Sequence, residues 1–274
     1  MFRSSFRSLF SRLVFLVAPA LLAQGGIMPP PPLLLIVREE VKPGRGGPHA
    51  VTETAWTRAL TKAKSTDHYL GMTSLTGPSE AWFIMGYANH ADWDTKQHEL
   101  DKDQTFMKEV DKIAQDDGEH LTGTRSILAA FRKDLSFGPD VEIGKMRYFR
   151  VRTFRVKQGQ AKAFEDGIKL NLAAYGKSNF PGSFAFYEVL AGTGSPTYIV
   201  LRPMKSLADL DALASANAAA QEALGEEGRK ALQKGSVETL NAVDTQLFSF
   251  SPKLSFPGPA TIASDPAFWT VKAE

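Results

Sequence analysis

The chain has 274 residues, enough for one large domain or two of ordinary size, and 43% of them are hydrophobic, enough to build a core. Thirty-two basic residues nearly balance thirty acidic ones, so the net charge of +2 gives no general electrostatic reason to expect nucleic acid as a partner. There is no cysteine, which excludes disulfides, thiolate nucleophiles and Cys-ligated zinc.

Residues 1–23 read as a signal peptide. A basic stretch carrying Arg3, Arg7 and Arg12 precedes a short apolar run over 13–23, and small residues offer cleavage after Ala23. The run is shorter than the ~20 apolar residues of a spanning helix, and no later segment is long and apolar enough, so no stable membrane insertion is expected after cleavage. The expected location is periplasmic or secreted. Residues 24–32 form a Pro-rich linker in which Pro29–Pro32 predict an extended polyproline tether with no core of its own.

The apolar run at 33–37, continuing to Val41, predicts a first strand. Pro48 suits a first helical turn, and His49, Glu53, Trp56, Leu60 and Ala63 follow at helical spacing. Strands are expected over about 68–75 and 81–88, joined by the turn at Gly77-Pro78. A polar helix starts near Asp92 and Asp117-Gly118 breaks it. A shorter helix over about 119–131 then leads to a fourth short strand at 134–137. The order β-α-β-β-α-β defines one ferredoxin-like unit over 33–137.

The chain then repeats itself. The hairpin at 75–85 (LTGPSEAWFIM) recurs at 190–200 (LAGTGSPTYIV), a spacing of 115 residues, and Val41-Lys42 and Gly44 recur as Val156-Lys157 and Gly159. In the second unit, 145–256, strands are expected over 145–157, 183–190 and 197–202, a helix over 160–175, and a long Ala-rich helical region over 207–248. Leu254-Ser255-Phe256 echoes Leu135-Ser136-Phe137 as the last strand. Residues 257–274 form a C-terminal tail in which Phe268 and Trp269 are candidate docking residues. The predicted fold class is α+β: two tandem ferredoxin-like βαββαβ units that shield each other's open sheet face and pack as a pseudo-dimeric α/β barrel.

This arrangement resembles the dimeric α/β-barrel superfamily, which includes the cofactor-independent antibiotic-biosynthesis-type monooxygenases, haem-degrading monooxygenases, and the EthD and NIPSNAP families. The resemblance covers 33–256 and rests on element order, the strand–Gly-turn–strand rhythm and the repeat. It implies a pocket for a small, mostly apolar or aromatic ligand between the sheet and helices of each unit, in a monomer (a pseudo-dimer) or a homodimer.

All five histidines and three of the four tryptophans fall in the first unit, which points to its pocket as the site of any chemistry. His49 and His68 are the candidate catalytic residues. His49 faces the sheet from its helix, either as a proton acceptor or ligand or as a core histidine bonded to a backbone carbonyl. Trp56, Trp82, Asn89, His90 and Trp93 are candidate ligand-binding residues. Haem-degrading relatives place an Asn, a Trp and a His around the porphyrin. Asn89, His90 and Trp93 supply those types in one loop rather than dispersed, and Asn89 or Asp92 also suits a helix cap.

In the second unit, Arg150 and Arg152 share one face of a strand and predict either an anion site or salt bridges, with Glu188 as a partner. Asp94, His98 and Asp101 read more simply as a solvated helix face than as a metal site, and no metal is assigned. The leading expectation is an exported protein that binds a small apolar or aromatic molecule in the first unit's pocket and needs no cofactor. The alternative is a cofactor-independent monooxygenase, in which a His takes a proton from a phenol-like substrate, and a lesser one is haem binding or degradation.

Overall fold

The computed structural model describes residues 28–270. Its elements run β1 (Leu33–Val41), α1 (Gly46–Lys62), β2 (Tyr69–Ser74), β3 (Glu80–Tyr87), α2 (His90–Asp101), α3 (Gln104–Gly118) and β4 (Leu121–Phe131). They continue with β5 (Tyr148–Val156), α4 (Ala161–Lys177), β6 (Ala185–Ala191), β7 (Thr197–Met204), α5 (Asp209–Thr239), β8 (Leu240–Phe250), α6 (Pro259–Ser264) and α7 (Pro266–Trp269). The fold is α+β, as expected. Its eight strands close into one antiparallel barrel in the order β1-β3-β2-β8-β5-β7-β6-β4.

Alternation sorts each strand's side chains between the barrel interior and the helices. Leu34 and Ile36 of β1, Trp82 of β3, Phe149 and Val151 of β5 and Phe248 of β8 point inward and are almost wholly buried. On the outer face, Val41, Ala81 and Phe83 pack near α1, while Phe154, Phe186, Tyr198 and Val200 pack with Phe164 of α4. Closure leaves no unpaired edge on the ring, which removes the aggregation hazard of an open sheet.

Two predicted elements are of the wrong type. Residues 119–131 were expected as a helix but form β4, and the strand expected at 134–137 is a 3₁₀ turn, Lys133–Leu135. The Ile127-Leu128-Ala129-Ala130 stretch is rich in helix formers. Between β1 and β6, however, it can bond on both sides, and Ile127 and Ala129 alternate into the core. Likewise the helical region expected to reach 248 ends at Thr239, and β8 occupies the rest. It pairs with β5 along its length and with β2 at its end. The strand expected at 254–256 is instead a 3₁₀ turn, Pro252–Leu254, followed by a single bridge between Phe256 and Tyr69.

The terminal segments lie against one end of the barrel. Tyr187 Oη donates to the Pro31 carbonyl at 3.1 Å, so the polyproline stretch is packed rather than free. In the tail, Trp269 is 2% exposed, donates Nε1–H to the Gly144 carbonyl at 2.7 Å and meets Phe250 edge-on. Arg147 pairs with Asp265 and lies over the Phe268 ring, fixing the same segment. The expected signal peptide, 1–23, lies outside the described residues.

Candidate functional site

A cavity of about 770 Å³ forms a chamber at this end of the barrel. The inward side chains of Leu34, Ile84, Phe149 and Leu201 form its floor, and the segments 28–31, 136–141 and 258–261 roof it. It is mostly apolar and within the size range of small-molecule sites. It draws its walls from both halves of the chain, rather than from the sheet–helix layer of the first half alone.

His68 is the titratable group of interest in that wall. It sits just before β2, held on both sides: Tyr87 Oη donates to Asp67 Oδ2 at 2.9 Å, and Tyr69 N–H donates to the Phe256 carbonyl at 2.9 Å. Its ring rests 4.9 Å from that of Phe256, and its Nδ1 is buried without a hydrogen-bond partner. Burial lowers its pKa below the usual 6.5, outweighing a backbone hydrogen-bonding contribution from Phe256 and the neighbouring Asp67 charge. At neutral pH the ring is therefore an uncharged imidazole, able to accept a proton.

His49 occupies a different place. It is 2% exposed between α1, β1 and α3. Its Nε2–H donates to Glu39 Oε2 at 2.8 Å, with Asp117 Oδ1 at 3.8 Å and Glu53 Oε1 at 3.9 Å. Thr52 donates to Asp117. Burial, then the charges of Glu39 and Asp117, push the Glu53 carboxyl up to about 9 from its usual 4.5. One ligand atom from each of the four residues lies within 4.8 Å of the others. An imidazole with three carboxylates is a donor set suited to a divalent transition metal, and the same proximity keeps Glu53 protonated without one.

The remaining predicted residues are scattered. Trp82 is fully buried inside the barrel, where its Nε1–H donates to Glu80 Oε2 at 2.8 Å and Arg38 lies over its ring. Trp56 packs in the α1–α3 cluster. Asn89 caps α2 by accepting from Asp92 N–H at 2.9 Å, His90 is exposed at the start of that helix, and Trp93 packs on Tyr87. These three do not converge on a cavity with His49 or His68. Arg150 and Arg152 line a second, smaller cavity on the outer face of β5, and Glu188 is engaged by Arg132 instead. Glu39, Asp117 and Arg202 were missed by the sequence reading. A signal for the first existed in the alternation of β1, which turns Glu39 toward the helix carrying His49.

No family model matches the chain, and no curated protein matches it. Solved structures are similar in fold. An anthrone oxidase-like protein gives a TM-score of 0.51 at 10% identity, over 80% of this chain and 91% of its own. A proposed monooxygenase from Fusobacterium nucleatum gives 0.50 at 12% identity, over 81% and 94%. A chlorite dismutase mutant from Candidatus Nitrospira defluvii gives 0.49 at 12%, over 83% and 94%. These neighbours are of the ferredoxin-like, dimeric α+β-barrel kind, and this chain shares the fold of the first two. At these identities the likeness carries the fold alone.

Proposed function

We propose that this chain is an exported, duplicated ferredoxin-like protein that binds a small, mostly apolar or aromatic molecule in the chamber at the end of the barrel. The observation that carries this reading is the 770 Å³ chamber with its apolar walls and the single unpaired imidazole nitrogen of His68. The recurrence of the β1–β4 element order in β5–β8 supports the duplication, and a ring closed by both halves makes a monomer self-sufficient. Fluorescence titration with single-ring and fused-ring aromatic probes tests the binding. Ala185 lines the chamber, so Ala185→Trp should narrow it and weaken the signal while leaving the circular dichroism unchanged. Probes that bind both proteins alike would sink the reading. Intact-mass measurement of protein recovered from the host envelope tests export, with cleavage after Ala23 as the expected product.

A second reading is cofactor-independent oxygenation. His68 would take the proton of a phenol-like substrate, and the resulting carbanion would react with oxygen. The uncharged state of His68 favours it. Oxygen uptake with an anthrone-like substrate should disappear in His68→Gln while binding of the substrate persists. Haem is a third reading, in which His68, whose Nδ1 has no hydrogen-bond partner, would hold the group; Asn89, His90 and Trp93 stand elsewhere. When bound, the porphyrin iron would supply oxygen chemistry, and a Soret band on hemin titration, lost in His68→Gln, is the test.

A further inference from the structure

The second cavity, about 160 Å³, lies between the outer face of β5 and β7 and the helices α4 and α5. Three arginines line it. Arg150 and Arg202 stand directly opposite each other in the β5–β7 register, and Arg152 is two residues along on the same face. Like charges opposed across strands are destabilising, and burying them compounds the cost. Burial does lower all three pKa values, that of Arg202 to about 10.

Elsewhere in the chain such arginines are answered by carboxylates. Arg132 is held by Asp134, Glu165 and Glu188, Arg38 by Glu80, and Arg155 by Asp244. Among the described residues lining this cavity there is no Asp or Glu. Arg152 Nε is buried without a hydrogen-bond partner, and Arg202 makes only a long 3.4 Å bond to the Pro181 carbonyl. Instead the guanidinium planes rest on rings: Arg152 over Phe154 at 4.6 Å, Arg202 over Phe180 at 5.0 Å and Phe184 at 5.3 Å. Ring contacts hold the planes in place and leave their N–H edges free, the geometry that receives a carboxylate in two parallel bonds.

We propose that this cavity is a binding site for a small organic carboxylate bearing a single ring or short apolar chain, its anionic end on Arg150, Arg152 and Arg202. The remaining walls select the rest of the ligand. Ile168, Leu172 and Leu213 are apolar, and Tyr175 with Asn171 and Asn217 offers neutral polar groups beside the guanidinium cluster. The volume is well below that of drug-sized sites, which excludes nucleotides and porphyrins. The site is separate from the end chamber, although Phe184 is a wall of both.

Calorimetric titration of the full chain with benzoate, benzamide and inorganic phosphate tests this. Benzoate is expected to bind and to raise the melting temperature, and its neutral isostere benzamide to do neither. Arg152→Gln and Arg202→Gln should each weaken benzoate at least tenfold, the loss of one charge-assisted pair. Arg155→Gln, on the same strand but facing Asp244, should leave binding intact. Without ligand, the two cavity variants should melt no lower than the parent, because each relieves a half-buried cluster of like charges that no carboxylate in the cavity answers. A merely structural arginine would instead destabilise on replacement. The proposal is overturned if benzoate fails to bind the folded protein, if benzamide or phosphate binds as well as benzoate, or if both cavity variants keep the parent affinity.

Discussion

Replacing Glu53 with Gln should remove a pH-dependent weakness from the fold. Glu53 is 4% exposed, and its carboxyl is pushed up to about 9 by burial and by Glu39 and Asp117. In the unfolded chain the same group releases its proton near its ordinary 4.5. Below that value both states are protonated and the group costs nothing. Between the two values the folded state retains a proton that the unfolded state has lost, so stability falls as pH rises, by about 1.4 kcal/mol per pH unit. From about pH 5 to about pH 8 this amounts to about 4 kcal/mol. Gln keeps the shape of the neutral acid and cannot ionise. The variant should therefore match the parent near pH 5 and exceed it by about 4 kcal/mol near pH 8. Urea unfolding followed by tryptophan fluorescence, in chelator, measures the difference at several pH values. A difference that stays constant across that range would refute the reasoning. Adding manganese or zinc at pH 8 should restore stability to the parent more than to the variant, if the four side chains take up a cation.

Two further substitutions probe the architecture. Trp269→Ala empties a fully packed indole site and removes the indole's hydrogen bond to the Gly144 carbonyl, so it should cost about 3–5 kcal/mol in chemical denaturation; an unchanged midpoint would mean the tail does not brace the chamber. Gly192→Ala should also destabilise, because Gly192 has φ +94° and an added Cβ would meet the Ser126 carbonyl oxygen at 2.0 Å; a wild-type melting temperature would show that the turn can move off β4.

How much of this could be read from the chain follows from where each signal is stored. β1 and β3 were legible because apolar runs bounded by Gly and Pro turns announce strands locally. β4 and β8 were not: Ile127-Leu128-Ala129-Ala130 carries helical composition that only its neighbours' hydrogen bonds override, and β8 follows directly on α5 with no Gly or Pro at the junction of Thr239 and Leu240 to mark where the helix stops. His49 was correctly turned toward the sheet. Its carboxylate partners come from β1 and α3, however, and no local spacing joins them. The chamber was invisible for a related reason: its roof is made of segments that read as linker and tail. For the arginines on β5, the sequence posed anion site against salt bridge but put Glu188 within reach, whereas that side chain belongs to Arg132.

The strand ring also has two joints of unequal strength. Between β1 and β3 eight residue pairs are in register, yet the halves meet through three pairs at β2–β8, Met72 to Ser74, and four at β4–β6, interrupted by a bulge. A hoop fastened so lightly at two points should spring open there before either half melts. The amide protons of Leu75 and Ser251, which donate across the β2–β8 joint to the Leu247 and Gly71 carbonyls, should then exchange faster than those of Ile36 or Val151, and uniform protection around the hoop would contradict it.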